Sequence, residues 1–348
     1  MDRARVKRLS RRSVLAGLAA APIGLSATRG LTAETGQPLP VRIGIQPQAS
    51  WLLYVARDFK LFEKAGLQPT YIRFTTGAQS IAAVESKSLD IASPGITPYV
   101  AGLAQGVDWK VVGIDATMSG AEGIVARADS GITKLEDLKG KTIGVARGST
   151  AYYGLLAALK GKGISKSDVK LLLMGPPEQL GAMRNKDIDA VAVWEPWIQR
   201  NINELGGRLI GMDADFGVYS TTGVYAVSRE YADKNRDVIE RFLTGLVLAY
   251  QYIQKNGPDA AISAVSEAMN VPRDVIKIMY QEAPVPNILR WADTGYQYSL
   301  TKGGAYHKQV EQMTEFLVAE GIISKNVDLS NAFDVSYIAN VLRKLEKQ

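Results

Sequence analysis

Thr142-Ile-Gly-Val-Ala-Arg-Gly-Ser-Thr-Ala-Tyr-Tyr-Gly-Leu-Leu-Ala-Ala-Leu-Lys160 reads as a strand, a turn and a helix in a single sweep. Residues 142–146 are short and apolar, as a buried strand requires. Gly148, Ser149 and Thr150 then open a helix over 150–160, and Gly161 and Gly163 follow it. A strand that passes through Gly and hydroxyl residues straight into a helix is the unit from which α/β sheets are built.

The same alternation extends in both directions. Upstream, 41–45 reads as a strand, 51–65 as a helix ended by Gly66, 70–74 as a strand and 78–86 as a helix. A short buried strand at 90–93, a helix at 98–105 and a strand at 109–114 follow. The rhythm restarts at 123–126. Beyond the opening stretch it continues as strand 169–173, helix 178–186 and strand 190–194. Residues 208–212 and 223–227 read as a last β-pair, and the chain from Glu230 to Lys347 as all helix. Two such series predict two α/β lobes with parallel sheets covered on both faces.

Three strand ends carry one device. Thr75-Thr-Gly-Ala78, Ser93-Pro-Gly-Ile-Thr-Pro98 and Arg147-Gly-Ser-Thr-Ala151 each place Gly and hydroxyl residues where a helix begins. Such residues are ordinary N-caps. Repeated at the carboxyl ends of α/β strands, where ligands of these sheets bind, they also read as anion-binding positions. None matches a phosphate-cradling or dinucleotide pattern.

The N-terminus reads as an export leader. Arg3, Arg5, Lys7, Arg8, Arg11 and Arg12 precede an apolar run at 13–25, shorter than the ~20 residues of a membrane span. Ser10-Arg-Arg-Ser-Val-Leu15 resembles the twin-arginine consensus, so residues 1–33 are expected to be a twin-arginine-type signal peptide cleaved after Ala33. Removing them leaves 34 basic and 34 acidic residues, so the net charge of +6 is no argument for nucleic acid. Cysteine is absent, which excludes disulfides and a lipid anchor on cysteine. With His307 as the single histidine, no zinc cluster and no catalytic triad is expected; His307 reads as a solvated or capping residue at a helix start. No cofactor and no metal is expected.

Several stretches resemble the periplasmic binding proteins of ATP-binding-cassette (ABC) importers for taurine, alkanesulfonates and nitrate. They are Thr75-Thr-Gly-Ala-Gln-Ser80, Leu89-Asp-Ile-Ala-Ser-Pro-Gly-Ile-Thr-Pro98 and Leu135-Glu-Asp-Leu-Lys-Gly-Lys-Thr-Ile-Gly-Val145. The most specific are Gly148–Leu159 and Asp187-Ile-Asp-Ala-Val-Ala-Val-Trp-Glu-Pro-Trp197. The resemblance implies a bilobal type II "Venus flytrap", two α/β lobes with parallel-rich sheets joined by a two-crossing hinge. Lobe 1 would hold residues 41–118 and 223–348, and lobe 2 residues 122–221.

Strand ends and resemblance together nominate a pocket. Its first-lobe side would be Gln46, Thr76, Gly77, Ser93, Gly95, Ile96 and Thr97. Its second-lobe side would be Gly148, Ser149, Thr150, Tyr152, Trp194 and Glu195, with Glu122 at the hinge. Trp194 or Trp197 would cover an alkyl group, or either could be core. Where taurine-binding relatives carry an Asp on the returning strand this chain has Gly223, so an amine would have to be met by Glu195 or Glu122. The expected protein is a monomeric, soluble periplasmic receptor without enzymatic activity. It would hand a small organic anion or zwitterion, a sulfonate before others, to an inner-membrane ABC permease. The rivals are nitrate, an aromatic carboxylate or a pyrimidine as ligand, an enzyme on the same fold, and a signalling module.

Overall fold

A computed structural model describes residues 37–347 apart from Tyr219, Ser220 and Pro284. The leader expected at 1–33 lies outside the described residues. Among the described residues nine strands run in chain order: β1 Leu39–Ile45, β2 Leu67–Arg73, β3 Trp109–Thr117, β4 Glu122–Ala126, β5 Thr142–Val145, β6 Lys170–Leu173, β7 Ala190–Trp194, β8 Arg208–Met212 and β9 Thr222–Ser228.

Five of them form a sheet in the order β6-β5-β7-β4-β8. The remaining four form two pairs, β1 with β2 and β3 with β9, which the short segment at Ile91 and Ala92 stitches together. Ile91 bridges Ile43 in parallel and Ala92 bridges Ala226 antiparallel, with Gly44 N–H on the Ile91 carbonyl at 2.8 Å and Ala92 N–H on the Ala226 carbonyl at 2.8 Å. The first sheet therefore runs β2-β1-(91–92)-β9-β3, the same pattern as the second.

Both sheets are mixed, not parallel as the alternation of strands and helices predicts. β5 is parallel to β6 and β7, whereas β4 is antiparallel to β7 and β8, and β9 is antiparallel to β3. The reason is where these two strands come from. β4 and β9 are entered from the other sheet, so each starts at the end where its neighbours finish. For the same reason 208–212 and 223–227 are not a β-pair: β8 borders β4 in one sheet and β9 borders β3 in the other.

Each sheet has its own apolar interior. The first is a single large core that joins β1, β3 and β9 to the C-terminal helices; Trp51, Trp109 and Trp291 are fully buried in it. Along helix Arg236–Asn256 the residues Val238, Ile239, Phe242, Leu243, Leu246 and Val247 recur at helical spacing and are all buried, with Phe242 stacked on Phe62 at 5.2 Å. The second sheet is covered on both faces, by Leu155, Leu156 and Leu159 on one side and Leu180, Met183 and Ile198 on the other. Burial of each such side chain contributes about 1.5–3 kcal/mol.

Two local departures have plain causes. The helix expected over 51–65 is two helices, Trp51–Asp58 and Leu61–Lys64, because Lys60 between them is left-handed with φ 52°. His307 is buried, not solvated: it sits inside helix Ala305–Ala319, where its Nε2 lies 3.0 Å from the Leu329 carbonyl. That helix also reaches the second sheet's core. The Phe316 ring meets Tyr153 edge-on at 5.2 Å, Lys160 lies over it at 5.0 Å, and Lys166 donates to the Glu320 carbonyl at 2.8 Å. No helix among the described residues is long and apolar enough to cross a membrane.

Candidate functional site

A cavity with about 400 Å³ of empty volume lies between the two sheets, walled by strand ends and by the turns and helix starts that follow them. Gln46 and Gln48 follow β1, Gly77 follows β2, and Gly95 and Pro98 follow the 91–92 segment. Ser149 and Thr150 follow β5, and Trp194 and Glu195 end β7. Met118, Ala121 and Glu122 come from the crossing between β3 and β4. This is where α/β sheets bind ligands, here with two sheets contributing at once.

The two glutamines are fixed from behind. Gln46 Nε2 donates to the Ser93 carbonyl at 2.8 Å; Gln48 Nε2 donates to the same carbonyl at 3.2 Å and to Asp115 Oδ2 at 2.6 Å. Asp115, fully buried in β3, also accepts from Ser50 Oγ at 2.6 Å and Tyr225 Oη at 2.5 Å. Burial pushes its carboxyl up, while these three donors pull the other way. Gln48 spends both amide hydrogens in this way, whereas Gln46 spends one and keeps a second N–H to donate.

Helix starts form two of the walls. Gly77 opens helix Gly77–Glu85, whose N-cap is Thr76; Gln79 Oε1 caps it from within by accepting from Thr75 N–H at 2.7 Å. Ser149 caps helix Thr150–Gly161, accepting from Tyr152 N–H at 3.0 Å and donating to the Ala146 carbonyl at 2.9 Å. The Ser149 hydroxyl hydrogen is therefore committed, and so is that of Thr150, which donates to Glu122 Oε1. What these helices can still offer a ligand is backbone N–H and dipole, because first-turn N–H groups have no partner inside a helix.

Among the described residues no Lys or Arg lines the cavity, but two buried carboxyls do. Burial pushes the Glu122 carboxyl well up, the nearby charge of Asp213 adds to the shift, and hydrogen bonds from Thr150 and Thr221 oppose it. Glu195, next to a cis peptide with Pro196, accepts from Gln199 N–H at 3.1 Å; burial pushes it up to about 7. A carboxyl raised in this way carries less negative charge than an ordinary glutamate and repels an anion less.

Outside this chamber is a wider cavity with about 770 Å³ of empty volume. The two share Gly77, Pro98, Ser149 and Trp194; the outer one adds Thr76, Arg147, Leu173 and Met174. Of the residues nominated from sequence, Gln46, Gly77, Gly95, Glu122, Ser149, Thr150, Trp194 and Glu195 line the inner chamber, and Thr76 the outer one. Five lie elsewhere. Ser93 turns its hydroxyl to the Gly44 carbonyl at 2.8 Å, Ile96 is core, and Thr97 faces Met313 Sδ at 3.7 Å. Gly148 makes the turn with φ 65°, and Tyr152 packs into the second sheet's core. Trp197 is also core, under the Arg200 guanidinium at 4.6 Å. The strand-end rule missed Gln48, although a second polar residue two places after Gln46 points the same way. Met118 and Ala121 carried no sequence signal, being apolar residues in a connection.

A family model described as NMT1/THI5 like matches residues 48–261. A Bacillus subtilis (strain 168) protein described as aliphatic sulfonates-binding is 27% identical over 320 residues, 90% of this chain and 92% of its own length. The taurine-binding periplasmic protein of Escherichia coli (strain K12) is 27% identical over 307 residues, covering 85% and 92%. Among solved structures, the alkanesulfonate-binding protein SsuA from Xanthomonas axonopodis pv. citri, bound to MOPS, superposes with a TM-score of 0.69 at 23% identity, covering 88% of this chain and 98% of that one. The desulfurization enzyme DSZB shares the fold at a TM-score of 0.62 and 16% identity, covering 88% and 99%. The bilobal binding-protein fold expected from the sequence is the fold observed.

Proposed function

The chain belongs to the NMT1/THI5-like family, and from that premise and the cleft we propose that it is a solute receptor for a small sulfonate. It captures the ligand between two lobes, residues 41–118 with 223–348 and residues 122–221, and delivers it to an ABC permease. The observation that carries this reading is the cavity walled by strand ends of both sheets, with helix N-termini and, among the described residues, no fixed cation. Neutral dipoles hold an anion without the desolvation and tight pairing of an ion pair, so the ligand can leave again. Sulfonate is favoured over other anions by the relatives, described as binding aliphatic sulfonates and taurine. The receptor acts in the periplasm after export and as a monomer. Closure follows from the ligand touching both lobes, which favours the state in which both touch it.

An amino-sulfonate is the second reading, favoured by the two carboxyls at the cavity, Glu122 and Glu195, either of which an ammonium would pair with in its charged form. Calorimetric titration of the exported protein with ethanesulfonate, taurine, nitrate and benzoate tests both, with small-angle scattering on the same samples. Stoichiometric binding of a sulfonate with a smaller radius of gyration is expected. Binding of nitrate or benzoate alone would refute the sulfonate reading, and tight binding at unchanged radius would refute closure.

A further inference from the structure

Behind Glu122 stands a second acid that does not line the cavity. The β4–β8 register pairs Gly123 with Met212 and so sets Glu122 beside Asp213, one residue beyond the last pair. One helix covers both: Thr150 bonds Glu122, and Gly154, one turn later, approaches Asp213 so closely that a β-carbon there would lie 2.3 Å from Oδ2. Both residues are 2% exposed; among the described residues Oδ2 of Asp213 is buried without a partner, and Glu122 has only the hydroxyls of Thr150 and Thr221 beside it as hydrogen-bond donors.

We propose that Glu122 and Asp213 hold one proton between them, and that this proton decides whether the cleft accepts an anion. Two neighbouring buried carboxylates cannot both carry charge, and the spare oxygen of Asp213 is where a shared proton would sit. Burial pushes both acids up, which agrees with that arrangement. Asp213 is a positioning residue that acts through Glu122.

Among the described residues around the pair, the other carboxyl at the cavity is Glu195. Along the covering helix, Tyr153 and Lys160 face Phe316, and Tyr152 faces Lys166. The β7 end brings Glu195, bonded to Gln199; the next helix brings Arg200, paired with Glu204. In the turn after β8, Asp215 accepts from Met212 N–H at 2.8 Å, and β8 carries Arg208 at its far end, opposite Ala126. The chain entering β9 brings the uncharged Thr221.

With the pair protonated, Glu122 is neutral beside the ligand; with the proton gone, it repels an anion. This rests on the ligand's anionic end sitting against Glu122. Calorimetry with ethanesulfonate and with nitrate, both lacking an amine, in buffers of different ionisation enthalpy from about pH 6 to pH 9 counts the protons taken up on binding. Uptake rising toward one proton is expected, with affinity falling up to about tenfold per pH unit along that limb. Glu195→Gln removes the other cleft carboxyl, so the uptake it retains belongs to the pair. Asp213→Asn should move the limb to lower pH, since Glu122 then loses its neighbouring charge. An unshifted limb in Asp213→Asn, or no uptake in Glu195→Gln, overturns the proposal. Binding of nitrate without ethanesulfonate refutes the sulfonate reading while the proton count still stands, and binding of neither anion at any pH overturns the proposal.

Discussion

Gly95 and Thr150 meet across the cleft so closely that a β-carbon on Gly95 would lie 2.8 Å from Thr150 Cγ2. One residue follows a strand segment of the first sheet and the other opens a helix of the second, so this contact exists only while the two rims are together. Gly95→Ala should therefore leave the fold intact and hinder closure. Overpacking of this size costs about 1–3 kcal/mol, which should appear as weaker ligand binding at unchanged melting temperature of the free protein. Wild-type affinity in this variant would mean that the rims separate in the bound state.

Glu195 makes a prediction about pH. Its native carboxyl, pushed up to about 7 by burial, keeps its proton where an unfolded glutamate near 4.5 has lost it. Between those values the native state binds more protons than the unfolded one. Stability must then fall as pH rises, by up to ~1.4 kcal/mol per unit from this group, and the loss is complete above the native value. Glu195→Gln should flatten this part of the profile. Urea midpoints measured in the ligand-free state between about pH 4.5 and pH 8 are the check.

Asp115 accepts from three side chains, Gln48, Ser50 and Tyr225. Asp115→Ala strands buried hydrogen-bond donors, each at a cost of about 1–3 kcal/mol, and frees Gln48 at the cavity wall. Both stability and ligand affinity should drop. A variant that loses affinity alone would separate the posture of Gln48 from the integrity of the sheet.

Phe316, on helix Ala305–Ala319, reaches the core of the second sheet, against Tyr153 and under Lys160. Phe316→Ala removes an edge-on aromatic contact worth about 0.5–1.5 kcal/mol beyond its buried area, and it removes it from the closed state. The free protein should become more open by small-angle scattering, with affinity reduced by a matching amount. An unchanged scattering profile would make Phe316 a residue of the core only.

The strand–turn–helix reading found the segments because each strand here is short, apolar and followed by a helix start. It could not find the strand directions. β4 and β9 look like any other β-run in sequence, and only their origin in the opposite sheet makes them antiparallel. The same limit applies to the cleft. Thr150 and Glu195 were legible because they stand at strand ends, whereas Ser93 and Thr97 in the same kind of motif turn inward. Side-chain direction at a helix start depends on packing partners such as Gly44 and Met313, which are far away in sequence. Asp115 and Asp213 left a fainter trace: acids at positions that the flanking apolar residues would bury.

The crossing of the chain between its sheets also sets an order of assembly. Strands β4 to β8 are contiguous, so the second sheet can be completed from its own segment, while β3 must wait about a hundred residues for β9. Yet β4 and β8 lie side by side, with Gly123 paired to Met212. Once that inserted segment has folded, its entry and exit are neighbours, and the long excursion shrinks to a short staple holding β3 close to its partner. The sheet built from β4 to β8 thereby becomes the template on which the discontinuous sheet closes. Damage to β4 or β8 should delay the maturation of a sheet that neither strand belongs to.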